Sequence, residues 1–72
     1  MYEHTKLFAA IVACGETEQY ADDAVNVMVR NVVHDCGSSL RAEILLSGLT
    51  PTEDLIDELW DLCEEYENWL QS

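Results

Sequence analysis

Positive charge is nearly missing from this chain. Its 72 residues include three Lys or Arg (Lys6, Arg30 and Arg41) against fifteen Asp or Glu, a formal net charge of −12. Phosphate backbones and anionic membranes are therefore repelled, and basic surfaces are attracted. A DNA-reading helix must bring Lys or Arg to phosphates and base edges. The helix–turn–helix look of residues 18–46 offers only Arg41 in its second helix, so direct nucleic-acid binding is excluded. Cysteine is sparse too. Cys14, Cys36 and Cys63 form an odd set without CxxC spacing, which argues against a secreted disulfide framework and for a reducing cytosol. Each falls at an apolar position of its segment, where free Cys packs as a small hydrophobe. No apolar run approaches the ~20 residues of a membrane span, so no membrane partner is expected.

What is present reads as one small globular domain over residues 1–72. The apolar fraction of 49% is ordinary for a folded chain and counts against disorder. A chain of this length buries only about 60% of its unfolded surface, so its stability is marginal. Ile11-Val12-Ala13-Cys14 resembles a bacterial lipoprotein cleavage box. The segment ahead of it sets Glu3 against Lys6 and so lacks the positive charge of a signal peptide. The expected location is cytoplasmic.

Glycine and serine divide the chain into four segments. In residues 3–14, Leu7, Ala10, Ile11 and Cys14 follow helical spacing, Phe8 and Val12 add a second apolar side, and Gly15 is placed to cap the end. Thr17 can cap residues 18–36, where Ala21, Ala24, Val25, Met28, Val29, Val32 and Cys36 form one stripe before Gly37. Val25 to Arg30 also alternates, as a strand would, but the 3.6-residue period runs through the whole segment. Ser38 or Ser39 starts a short helix over 39–46, with Leu40, Ile44 and Leu45 inward and Ser47-Gly48 at its end. Thr50-Pro51-Thr52-Glu53 reads as a capping box with proline at the first helical position, opening a helix over 51–70. The expected fold is all-α, a compact bundle of four helices joined by short turns. The alternative is α+β, with a strand at 5–13.

No segment carries a catalytic set, and no enzyme activity, cofactor or metal is expected. Glu16 to Asp23 does not match a calcium loop. A di-iron bundle needs Glu-x-x-His, and the residue three before His34 is Asn31. His34 and Cys36, with the other cysteines, lack the tight ligand pairs of a zinc site. As a nucleophile and base, His34 and Cys36 would point about 200° apart on a helix. His34 reads instead as a C-terminal helix residue facing the dipole, and His4 as solvated.

The last segment holds the strongest signal. Residues 53–67 carry eight carboxylates (Glu53, Asp54, Asp57, Glu58, Asp61, Glu64, Glu65 and Glu67) and no Lys or Arg. A helical wheel puts all eight on one side and Leu55, Ile56, Leu59, Leu62, Cys63, Tyr66, Trp69 and Leu70 on the other. Two carboxylates about 6 Å apart repel by roughly 0.7 kcal/mol in water, whereas an ordinary soluble surface mixes both signs. Successive acids rise about 4.5 to 6 Å along the axis, comparable to phosphates along a nucleic-acid strand. Trp60 sits at the border of the apolar stripe, where Arg can stack on its face while pairing with nearby carboxylates.

In its small size, strong acidity, helical pattern and absence of a catalytic set, the chain resembles the phage-made inhibitors of host nucleic-acid enzymes, the anti-CRISPR and anti-restriction DNA mimics. The resemblance is one of composition and covers no aligned motif. It implies a cytoplasmic inhibitor that works in the host, binding a basic nucleic-acid-binding protein through Glu53, Asp57, Trp60, Asp61, Glu64, Glu65 and Glu67. Glu16, Glu18, Asp22 and Asp23 would extend the patch if the second helix began near it. The competing reading is a helical adaptor or homo-oligomeric subunit. Its acids would provide solubility, and Val27, Trp60 and Trp69 would form a homodimer seam.

Overall fold

A computed structural model describes residues 2–35 and 39–72. Its order is α1 (Lys6–Ala13), α2 (Glu18–His34), α3 (Leu40–Leu46) and α4 (Glu53–Gln71). The architecture is all-α, and no strand occurs among the described residues. Within the stretch 5–13, residues 6–13 are helix and none is strand, because the apolar residues recur at 3.6 spacing and Thr5 caps the helix by accepting from Phe8 N–H at 3.1 Å. The two long helices, α2 and α4, pack on each other, and the short α1 and α3 each pack on both.

Every helix start uses a Ser or Thr hydroxyl to satisfy an orphan N–H. Thr17 accepts from Tyr20 N–H at 3.1 Å and Ser39 from Ala42 N–H at 3.0 Å. Two ends use glycine in the left-handed region, Gly15 at φ 99° and Gly48 at φ 88°. At α3 the closing motif is complete. Gly48 N–H donates to Leu45 C=O at 3.0 Å and Leu49 N–H to Ile44 C=O at 3.2 Å. Ile44 and Leu49 are both buried, the apolar contact that accompanies such an ending.

The core takes Leu7, Phe8 and Ile11 from α1, Ala21, Val25, Met28 and Val29 from α2, Ile44 from α3, Leu49 from the turn, and Leu59 and Cys63 from α4. The α2 stripe is as expected over its described members. Cys36, Gly37 and Ser38 lie outside the described residues. The N-terminal turn is tied down by Asp22, whose carboxylate accepts from Tyr2 N–H at 3.0 Å. Burial, and after it the Asp22 charge, raises the pKa of the Tyr2 phenol.

Several local expectations need correction. The first helix begins at Lys6, not at residue 3, because Thr5 takes the cap. Cys14 is exposed and not core, since it is the C-cap residue beyond Ala13, where the chain turns away through Gly15. Leu45 is 56% exposed. It lies about 100° round the wheel from Ile44 and farther from Leu40, so it cannot share their face. The fourth helix is capped by Thr52, which accepts from Leu55 N–H at 3.3 Å, and not by Thr50. Leu49 is held against Ile44 to close α3, and the residue before a proline prefers extended backbone. The chain therefore runs on through Thr50-Pro51 before a helix can start. With Leu55 three residues after the cap, no reciprocal capping box forms.

Candidate functional site: the acidic side of α4

α4 forms for ordinary reasons. Thr52 caps it, Glu53 and Asp54 sit in its first turn where the macrodipole favours anions, and Leu59 and Cys63 are buried on its inner face. Its 19 residues make a rod about 28 Å long at 1.5 Å per residue. The cysteine on the inner face, Cys63, is buried. Its thiol points at Val29 C=O at 4.0 Å, and burial pushes its pKa up to about 11.

The eight acids do not share one fate. Glu58 turns to α1, where its carboxylate accepts from Lys6 N–H at 2.8 Å and Leu7 N–H at 2.7 Å. These are orphan donors at the positive end of α1, so Glu58 is a capping anion of the fold. This corrects the expectation of eight solvated acids. The wheel places residues on one helix and says nothing of which neighbouring helix end will meet them. Asp54 is 3.9 Å from the Lys6 ammonium, and both side chains are mostly exposed. Such a surface pair is worth about 0–1 kcal/mol.

The other six, Glu53, Asp57, Asp61, Glu64, Glu65 and Glu67, are exposed. No ion pair joins them to a cation among the described residues. Glu53, Asp57, Asp61 and Glu65 follow each other at i, i+4, and Asp61, Glu64 and Glu67 at i, i+3. Each like-charge neighbour destabilises a helix by about 0.2–0.5 kcal/mol. Glu64, Glu65 and Glu67 also approach the helix C-terminus, where the dipole is negative and the last turn holds no basic residue. Helix stability alone would not place them there.

Trp60 lies within this row and is 55% exposed. Farther along, Trp69 is 69% exposed, although the wheel assigned it to the packed side. It stacks on Tyr66 with ring centroids 6.0 Å apart. Tyr66 in turn bonds His34 Nε2 through its hydroxyl at 2.9 Å. His34 lies at the C-terminal end of α2, as expected, although the helix ends there, with Asp35 as its cap, and does not run on to residue 36. His34 ties that end to α4. Leu70, 47% exposed, is likewise uncovered because the tip of α4 extends beyond the core. Of the proposed extension on α2, Asp22 is engaged with Tyr2. Glu18 and Asp22 line a small cleft with Glu3 and Phe8, bordered by no α4 residue.

One acid was missed in the sequence. Glu43 is 7% exposed, and its Oε1 accepts from Asn31 Nδ2 at 2.8 Å. The available signal was its position three residues after Leu40 and next to Ile44, on the inward arc of α3. Comparison with known proteins finds no matching family model, no similar curated protein and no similar solved structure. The functional reading therefore rests on the residues themselves. No helix among the described residues is long and apolar enough to cross a membrane.

Proposed function

We propose that this protein is a small acidic inhibitor or interaction protein that binds a basic nucleic-acid-binding surface of a partner protein as a nucleic-acid mimic. The supporting observation is the exposed row of Glu53, Asp57, Asp61, Glu64, Glu65 and Glu67 on one helix, without an ion pair among the described residues and with Trp60 exposed among them. Carboxylates 4.5 to 6 Å apart along the axis, roughly from the helical rise, stand in for successive phosphates. Trp60 provides a face on which an Arg of the partner can stack. The partner groove excludes water as it closes on the row, and its nucleic acid is displaced. Long-range attraction makes association fast and salt-sensitive. The phage-type inhibitors of host nucleic-acid enzymes act in this manner, and the likeness to them is compositional.

Affinity capture from a host lysate, washed at rising salt, tests the reading. One dominant basic, DNA- or RNA-handling protein should be retained at low salt, released at high salt and displaced by added nucleic acid. Charge reversal at Glu64 and Glu65 should abolish its recovery. Retention that is indifferent to salt, to competing nucleic acid and to those substitutions would sink the mimic reading.

A second reading has its own support. Val27 is 52% exposed, Trp60 55% and Trp69 69%, which suits a helical adaptor or homo-oligomeric subunit with a solubilising acidic face. Sedimentation separates the two readings. A stable dimer that buries the tryptophans favours the adaptor, and a monomer with accessible Trp60 favours the inhibitor.

A further inference from the structure

Away from α4, a trough of about 330 Å³ opens between α2 and α3. One wall is a stripe of α2 from Tyr20 through Val27 to Asn31, residues spaced at i, i+7 and i+11. At 1.5 Å per residue that stripe is about 16 Å long, three helical turns. The other wall is α3, with Leu46 at the rim and Glu43 at the floor, and Met28 closes the base. Its rim is apolar and open to solvent: Tyr20 is 50% exposed, Val27 52% and Leu46 81%. No residue of α4 lines it.

The floor carries the specific chemistry. Glu43 is nine-tenths buried, and the one hydrogen bond its carboxylate makes among the described residues comes from the neutral Asn31. A buried carboxylate is normally paired with a cation. Among the described residues no Lys or Arg lines the trough, and the only other charged group there is Asp23. A second copy of this chain suits it poorly, since it brings another net charge of −12. We infer that the α2–α3 trough is a docking groove for a basic amphipathic helix of a partner protein. The partner's apolar residues, at i, i+3/i+4 and i+7, would lie against Tyr20, Val27 and Leu46, and a Lys or Arg would reach Glu43. This mode of recognition fits a groove two to three turns long with an anchor at one end. It does not depend on the α4 row.

An 18-residue helical peptide of Leu and Lys in amphipathic register is a direct probe. A second peptide with Glu for Lys, and a third with Ser for Leu, serve as controls. NMR of the full chain should show the Leu/Lys peptide shifting the methyl signals of Met28, Ala24 and Val27. The Ser/Lys peptide should perturb α4 amides alone, and the Leu/Glu peptide nothing. Glu43→Gln keeps the oxygen that Asn31 bonds and removes the charge. It should weaken groove binding by about tenfold, the effect of one charge-assisted hydrogen bond. Val27→Ser with Leu46→Ser, both surface positions, should abolish it. Glu64→Gln with Glu65→Gln should leave it intact, which separates this groove from the nucleic-acid-mimic reading. Shifts confined to α4, or binding unaffected by Glu43→Gln, would overturn the inference. So would a native dimer that the Val27/Leu46 double substitution dissociates, because a second copy would then be the occupant.

Discussion

Two sets of acids on α4 are the same residue types and do different work. In the first half, Glu58 closes the N-terminus of α1 and Asp54 meets Lys6. Glu53 and Asp57 beside them, and Asp61, Glu64, Glu65 and Glu67 farther along, are exposed and without a paired cation among the described residues. The cause is the place where α1 lands. Its positive end, with two N–H groups lacking intrahelical partners and one ammonium, takes up the acids within its reach, Asp54 and Glu58, one turn apart on α4. A carboxylate on a polar helix face is thus structural or available according to which helix terminus lies beside it. The count of acids in the sequence overstates the ridge by at least Glu58.

Substitutions can break this contrast, and the largest effect belongs to the capping acid. Glu58→Ala should destabilise the fold by about 1.5–3 kcal/mol in denaturant unfolding, since two charge-assisted hydrogen bonds to backbone are lost. Asp61→Ala, one turn on, should cost nothing measurable. Equal losses at the two positions would refute the division of α4.

The inner face of the same helix should reveal itself in alkali. Cys63 is raised from 9.0 to about 11 in the folded chain. Its contribution is therefore complete below pH 9 and is lost as pH climbs toward 11, where the unfolded thiol ionises and the folded one resists. The unfolding midpoint should fall over that window, and Cys63→Ala should flatten the fall. At pH 8, peptide mapping after alkylation should find Cys14 modified and Cys63 protected.

A smaller effect sits at the helix start. Thr52→Ala should cost about 1 kcal/mol and Thr50→Ala almost none, a difference that urea midpoints can read. The smallest lies on the ridge. Asp61→Lys sets a cation at i, i+4 from both Asp57 and Glu65, and should raise stability by a few tenths of a kcal/mol. The same change should weaken binding to a basic partner. A variant gaining stability with undiminished binding would show that the row is a solubility coat.

Much of the fold is legible in local pattern. Gly15, Thr17, Ser39 and Gly48 mark helix ends because a cap or a left-handed turn is settled within four or five residues. The α2 stripe and the inner face of α4 through Tyr66 follow from helical period. The candidate row is legible as well, except where another element intrudes. Cys14 and Leu45 were misplaced because periodicity does not say where a helix stops or which arc of a seven-residue helix faces in. Thr50, with Pro51 and Glu53 behind it, is the fuller local cap, and the helix starts at Thr52 instead because Leu49 packs against Ile44 to close the preceding helix.

Charge sign, helical class and the solvent side of the last helix follow from composition and spacing alone, because they depend on a single chain segment and the water around it. Which acid is consumed, which is buried and where a trough opens were settled by packing. Glu58 meets a partner 51 residues away in the chain and Glu43 one 12 away. Contacts of that range exist only once the helices have docked, and no local rule of spacing can express them.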